Sequence, residues 1–194
     1  MDFIKEYLED IVDIAKSLEV EKIRDIIADL VKVKDEEGRL FILGIGGSAG
    51  NSSHAVNDFR KLAEIDSYSP TDNISEFSAR TNDEGFESTF IGYLKVSKLN
   101  SRDCILILSV GGGNLDRNVS VNLCKALDYA NAVGANSIAI VGKTDGYAQK
   151  FAKKCLVIPE INPKMVTPYS ESFQAIIWHL IVSHPMLKPN KTKW

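Results

Sequence analysis

The chain has 194 residues, of which 44% are hydrophobic and 25% charged, and its formal net charge is −3. These values are ordinary for a soluble globular protein of one domain, and no basic stripe suggests a nucleic-acid partner. No apolar run approaches the roughly 18 residues of a membrane span, and the acidic N-terminus does not resemble a signal peptide. Three cysteines in apolar contexts are typical of reduced thiols in a cytoplasmic protein: Cys104, Cys124 and Cys155.

Residues 3–35 carry apolar side chains at helical spacing. The pattern fits two helices, or one long helix with a break near residues 18–21, and Gly38 is expected to close the segment. We therefore expect an N-terminal helical segment over residues 1–36. Its apolar surface favours a role in oligomerisation.

From Arg39 onward, short apolar strands alternate with helices. The predicted strands are 40–43, 103–109, 137–141 and 155–158, with a short extended piece at 66–71. The predicted helices are 48–63, 87–96, 118–133, 146–153 and 170–183. This alternation predicts an α/β fold in which helices cover both faces of a parallel sheet. The chain is expected to be a single domain over 1–194, with a core at 39–185 and a C-terminal tail at 186–194.

A glycine-rich loop, Gly44-Ile45-Gly46-Gly47-Ser48, joins the first strand to the helix that follows. Glycine allows a ligand to approach the backbone closely, and a helix N-terminus presents unpaired N–H groups to an anion. The spacing matches neither the dinucleotide-binding fingerprint nor a P-loop. The loop is therefore either an anion site or a tight turn without a ligand.

A second glycine loop, Ser109-Val110-Gly111-Gly112-Gly113-Asn114, follows the strand at 103–109. Its consecutive N–H groups are able to form a nest for an anion. Arg117 is a candidate phosphate partner, although a surface arginine is an equally good interpretation. In a parallel sheet both loops lie at the carboxyl edge, which favours a ligand site there.

His54 and Asp58 are four residues apart, so they lie on one face of the predicted helix. Such a pair is able to chelate a divalent metal or to act as a base with its orienting acid, and it also occurs as a hydrogen-bonded surface pair. His179 lies in an otherwise apolar helix, where it is either a core residue or a ligand. Glu171 precedes it by eight residues, or about 12 Å of helix rise, which permits a shared metal site without demanding one.

Taken together, these residues resemble the SIS (sugar isomerase) domain family, and within it the phosphoheptose isomerases. The first glycine loop is similar to the family's Gly-Asn-Gly-Gly-Ser, and the spacing from Ser48 to His54 and Asp58 also matches. The segment at 81–86, with Asn82 and Asp83, resembles the family's Asn-Asp-x-Gly-Phe, and residues 142–146 resemble its Gly-Lys-x-Gly loop. The resemblance covers nearly the whole chain.

The resemblance implies an enzyme that interconverts sedoheptulose 7-phosphate and a heptose 7-phosphate, commonly with zinc and as a homotetramer. Asp58 and His179 would pass protons between C1 and C2, and His54 and Glu171 would join them in a metal site. An ene-diol mechanism would need such groups to move the proton and to stabilise the oxyanion. The residues expected to bind the sugar phosphate are Gly46, Gly47, Ser48, Asn82, Asp83, Ser109, Gly111, Gly112, Gly113, Asn114 and Arg117.

The chain also departs from the family. Asp58 stands where the family has glutamate, and Glu171 where it has glutamine, although Gln174 lies one turn further along the helix. Gly111, Gly112 and Leu115 replace residues whose hydroxyls would bind phosphate. A different phosphorylated or nucleotide-linked sugar, or a non-catalytic module that binds a sugar phosphate, therefore remains an alternative.

Overall fold

A computed structural model describes residues 2–190 as five strands and eight α-helices. The strands are β1 (Arg39–Leu43), β2 (Asp66–Tyr68), β3 (Cys104–Ser109), β4 (Asn136–Val141) and β5 (Lys154–Val157). The helices are α1 (Phe3–Ser17), α2 (Val20–Asp35), α3 (Gly47–Ala63), α4 (Ile74–Glu84), α5 (Thr89–Val96), α6 (Val121–Ala132), α7 (Tyr147–Phe151) and α8 (Val166–Ser183). None of the described helices combines the length and the apolar character that crossing a lipid bilayer requires.

All five strands are parallel, in the order β2-β1-β3-β4-β5. Leu40 is paired with Cys104, and Cys104 with Asn136, so the strands begin nearly in line at one edge. The chain steps outward from β1 to β2 and then returns to β3 on the other side of β1. In such sheets a ligand crevice forms outside the carboxyl ends of the strands where the order reverses, which here is between β1 and β3.

Alternate side chains of each strand point to opposite faces of the sheet, and each face has its own hydrophobic core. On one face, Leu40 and Ile42 pack with buried residues of α1, α2, α3 and α8. On the other face, Phe41 and Leu43 pack with α5, α6 and α7. The prediction of a parallel sheet with helices on both faces is confirmed.

The N-terminal segment consists of two helices, because Leu18 is extended (φ −64°, ψ 135°) and ends α1. α2 ends at Asp35, and the residue with positive φ is Glu37, at 52°, rather than Gly38. A Cβ at Gly38 would collide with the carbonyl of Arg102. Glycine is needed at this position for a close approach to the segment before β3, and not as the left-handed residue of a helix cap.

Several predicted boundaries are wrong. Helix α4 was not expected, since none of its residues is buried and its apolar pattern is weak. The helix predicted at 118–133 begins only at Val121, because Asn118 and Ser120 have positive φ. α5 is shorter at its start than predicted and α7 at both ends, whereas α8 begins four residues earlier than predicted. Residues 191–194 of the predicted tail lie outside the described residues.

Candidate active site

The packing of α3 against α8 brings together three side chains with metal-binding atoms: His54, Asp58 and His179. One ligand atom from each lies within 4.8 Å of the others. Both histidines are exposed, and the Asp58 side chain is 16% exposed. The group therefore faces solvent, where a small molecule is able to reach it.

The orientation of His179 is set by its own helix. Its Nδ1 lies 2.8 Å from the carbonyl oxygen of Ala175, and because a carbonyl only accepts, Nδ1 carries the hydrogen. Its Nε2, 3.9 Å from Asp58 Oδ2, is then the nitrogen with the free lone pair. The ring also stacks on Trp178, with ring centroids 3.5 Å apart. This side chain is held with its basic nitrogen toward the carboxylate.

The donor set of this group fits a catalytic zinc ion. Two imidazoles and one carboxylate are a usual three-ligand set for catalytic zinc, and they leave the fourth position to water or substrate. His54 and His179 meet edge to face, with ring centroids 5.2 Å apart. Ligands at the usual zinc distances of about 2.0–2.2 Å would lie closer together than the atoms do here, so small side-chain adjustments would complete the site.

Glu171, the fourth expected metal ligand, is not part of this group. Its carboxyl lies against Gly47 in the first glycine loop, where an added Cβ would be 2.5 Å from the carboxyl carbon. Eight residues of α8 separate Glu171 from His179, and the Glu171 carboxylate does not lie among the ligand atoms of the group. Glu171 instead places a carboxylate at the N-terminus of α3, where the positive end of the helix favours a negative charge.

Sequence reasoning did not assign a role to Gln174, which ties α8 to the first glycine loop. Its Oε1 accepts hydrogen bonds from Ser48 Oγ at 2.9 Å and from Asn51 Nδ2 at 3.3 Å. Its Nε2 is buried and has no partner among the described residues, and the same is true of Trp178 Nε1. A polar residue in an apolar helix was the available signal. Ser48, a predicted phosphate ligand, is buried and donates its hydroxyl hydrogen to Gln174.

The second glycine loop is bonded to the first turn of α7. The N–H groups of Ala148 and Tyr147 donate to the carbonyls of Gly112 and Gly113, both at 2.8 Å. Ser109 Oγ accepts from the N–H of Gly112 at 3.0 Å. The N–H of Gly112 is thus already bonded within the chain, which leaves the predicted anion nest one N–H donor fewer, whereas the O–H of Ser109 is not used as a donor in this bond.

The remaining predicted phosphate ligands lie on exposed segments. Asn82 and Asp83 are near the end of α4, which packs against the 3-10 turn at Phe86–Ser88 and against α5. The two side chains are hydrogen-bonded to each other at 2.7 Å. Asn114 Oδ1 accepts from the backbone N–H of Arg117 at 2.8 Å, and the Arg117 side chain is exposed. The structure does not bring Asn82 and Asp83 into contact with the histidine cluster.

The cysteines are poor candidates for nucleophiles. All three are free thiols, and burial raises the pKa of Cys124 and of Cys155 to about 11. The pKa of the fully buried Cys104 is raised further for the same reason. Because the thiolate is the reactive form, these residues are unreactive near neutral pH.

Comparison with known proteins gives matches in sequence and in fold, although no protein-family model matches the chain. The chain is 32% identical over 156 residues to the lincomycin biosynthesis protein LmbN of Streptomyces lincolnensis, covering 76% of this chain and 56% of LmbN. It is 29% identical over 178 residues to the phosphoheptose isomerase of Syntrophotalea carbinolica, covering 89% and 85% of the two chains. The phosphoheptose isomerase GmhA from Neisseria gonorrhoeae superimposes with a TM-score of 0.81 at 19% identity, over 92% of this chain and 95% of that one. The fold and the resemblance identified from sequence are confirmed.

Proposed function

We propose that this chain, which resembles the phosphoheptose isomerases of the SIS domain family in sequence and in fold, is a sugar-phosphate aldose-ketose isomerase. Its substrate is sedoheptulose 7-phosphate, and its product is D-glycero-D-manno-heptose 7-phosphate. The observation that carries the proposal is the group of His54, Asp58 and His179 on α3 and α8. An isomerase of this class needs a base and an acid that move a proton between C1 and C2, and this group supplies both.

In the proposed mechanism Asp58 and His179 exchange protons with the sugar. In the neutral imidazole of His179 the basic nitrogen is Nε2, because Nδ1 donates its hydrogen to the carbonyl oxygen of Ala175. Asp58 Oδ1 accepts a hydrogen bond from Asn57 at 2.9 Å, so one oxygen is held while Oδ2 points toward His179. One residue removes a proton from C1, next to the carbonyl, and the other returns a proton to C2. The hydroxyl proton of O1 is transferred to the former carbonyl oxygen O2, so no proton is gained or lost overall.

Zinc is the proposed cofactor, and His54, Asp58 and His179 would hold it. Because Nε2 is the only basic nitrogen of His179, this residue would exchange a proton with the sugar only while Nε2 is not bound to the ion. When bound, it would polarise the substrate carbonyl and stabilise the developing ene-diolate. Glu171 was expected to be a further ligand, but its carboxylate lies beside Gly47 and outside the ligand group. For Glu171 to become a fourth ligand, its side chain would have to leave Gly47.

The phosphate is proposed to bind in the crevice between the loops at 46–48 and 109–114, with Arg117 as its cation. Ser109 carries the one side-chain hydroxyl of the loop at 109–114, so this loop has fewer hydroxyl donors than a phosphate loop usually has. This observation favours a second candidate, an isomerase for a different phosphorylated or nucleotide-linked sugar.

We also propose that the protein is a cytoplasmic homotetramer and that residues 1–194 form one unit, with the N-terminal segment 1–36 ahead of the core. An exposed apolar row on α1 supports assembly through that helix: Ile4 is 67%, Leu8 58% and Val12 48% exposed. The three free thiols support a reducing compartment. Light scattering and localisation of a tagged chain would test these statements.

Incubation of the purified protein with sedoheptulose 7-phosphate, with and without added zinc, tests the proposal directly. Proton NMR is expected to show a new aldose anomeric signal, and exchange of one carbon-bound hydrogen in deuterated water. If the protein isomerises another phosphorylated sugar but not sedoheptulose 7-phosphate, the second candidate, an isomerase for a different sugar, would be favoured. Tight sugar-phosphate binding with no turnover of any substrate would overturn the enzymatic proposal and favour a binding module.

A further inference from the structure

A second polar cavity lies at the amino edge of the sheet, opposite the candidate active site. It has a volume of about 350 Å³ and is enclosed by the end of α2 and by the segments that lead into β3, β4 and β5. This volume is at the lower end of the range of about 300–1,000 Å³ that small-molecule sites occupy. No role in the proposed isomerisation is assigned to its residues.

The buried or half-buried carboxylates that line this cavity are already bonded to the protein. Asp29 accepts from Lys154 Nζ on one oxygen and from Asn136 Nδ2 on the other, both at 3.0 Å. Asp103, 2% exposed, accepts from the backbone N–H of Arg39 at 3.0 Å and from its guanidinium at 2.7 Å. Their negative charge is therefore matched by bonded partners, of which Lys154 and Asn136 also line the cavity, and the exposed carboxylate of Glu36 at the same rim lies 3.7 Å from Lys32 Nζ.

Two cations of the same cavity have no carboxylate partner among the described residues. The exposed guanidinium of Arg102 forms no ion pair with them. The ammonium of Lys153 donates to the carbonyl oxygens of Ala135 at 2.8 Å and of Gly134 at 3.3 Å, so one of its three hydrogens is available. These two bonds also neutralise carbonyls just beyond the end of α6, which would otherwise repel an anion.

The cavity therefore offers available donors on Arg102 and Lys153, whereas the carboxylates of Asp29 and Asp103 already accept hydrogen bonds from the protein. Such a lining suits an anionic group that accepts hydrogen bonds. We propose that this cavity binds a small phosphate monoester, with its phosphate on Arg102 and Lys153. A guanidinium matches a phosphate in a bidentate way, and an ammonium adds a point charge. The exposed hydroxyl of Ser101 is a third donor at the same rim. This site is separate from the crevice at the carboxyl edge.

Two-dimensional ¹⁵N NMR of the full chain, titrated with glycerol 3-phosphate and separately with inorganic phosphate, tests the inference. Saturable shifts are expected at the backbone amides of Ser101, Arg102, Gly134 and Lys153. The organic ester should bind more tightly, because inorganic phosphate fills less of the cavity. Shifts at Gly111 and Asn114 alone would place the ligand in the other crevice and overturn the proposal.

Arg102→Gln should weaken binding of glycerol 3-phosphate at this site roughly tenfold, because one charge-assisted bidentate contact is lost. Arg24→Gln is the matched control, since Arg24 is exposed on α2 and paired only with Glu21 at 2.6 Å. Lys153→Gln is a second variant that should also weaken binding. Equal weakening by Arg24→Gln and Arg102→Gln would indicate general charge attraction and would overturn the proposal, as would no effect of either cavity variant.

Discussion

The histidine cluster and the second glycine loop both lie outside the sheet core, yet they differ in what they offer a ligand. In the cluster, His54, Asp58 and His179 present ligand atoms to solvent within 4.8 Å of each other. In the loop, the hydroxyl of Ser109 and the carbonyls of Gly112 and Gly113 are bonded to neighbouring backbone. The side chains able to bind a ligand lie on helices α3 and α8, whereas the backbone of the loop is hydrogen-bonded to the first turn of α7.

This difference shows that glycine in a loop at the carboxyl edge is not by itself evidence of a ligand. A Cβ at Gly113 would be 2.7 Å from Cys124 Sγ, and φ there is 81°, so packing and backbone geometry both require glycine. Polar side chains that converge from two helices carry stronger evidence, because nothing in the packing of a helix requires them to meet.

The largest expected effect is on turnover by the cluster. Asp58→Asn and His179→Ala should each lower kcat at least about a hundredfold, the usual contribution of a positioned acid or base. Asp35→Asn, an exposed position at the end of α2, is the control and should keep wild-type kcat. Circular dichroism should show the same helix content in all variants. Wild-type rates in either cluster variant would contradict the proposed mechanism.

A second effect concerns metal binding. His54→Ala should lower the affinity for zinc by more than about a hundredfold, since loss of outer-shell partners alone costs up to that factor. Competition with a chromophoric chelator measures the affinity without any activity assay. Glu171→Gln should change it less, because Glu171 lies outside the group. Equal losses in both variants would place Glu171 in the metal site after all.

The smallest expected effect is a difference in the free energy of unfolding between substitutions at two glycines of the second glycine loop. Gly113→Ala should lower the free energy of unfolding by about 1–3 kcal/mol, because of its positive φ and the contact with Cys124. Gly111→Ala should change it by less than about 0.5 kcal/mol, since an added Cβ there meets nothing within 4 Å. Urea denaturation measures both. A rise in KM in Gly111→Ala without a change in stability would show that the loop does bind substrate.

The sequence predicted the parts of the fold that local patterns determine. The predicted bounds of β1, β3, β4 and β5 lie within one residue of the bounds in the structure, since each strand is a short apolar run between polar turns. α4 was missed because its faces are all at least partly exposed, so it has no apolar stripe to detect. The start of α6 was misplaced because the positive φ of Asn118 and Ser120 depends on the turn formed between Asn114 and Val119.

The candidate site was predictable in part. The i, i+4 pair of His54 and Asp58 was visible within one helix, and the resemblance suggested His179 as their partner. The position of Glu171 was not predictable, because it depends on how α8 crosses the N-terminus of α3. The bond from Ser48 to Gln174 was equally unpredictable from a sequence pattern, since the two residues are 126 positions apart in the chain.

The packing of α3 against α8 joins residues from distant parts of the chain, with four of the five strands encoded between them. A ribosome-bound nascent chain that has released β5 already contains every strand and both glycine loops. It lacks His179, and therefore has most of the fold and none of the assembled cluster. The cluster is therefore completed only when α8 docks on a sheet whose strands all precede it in the chain.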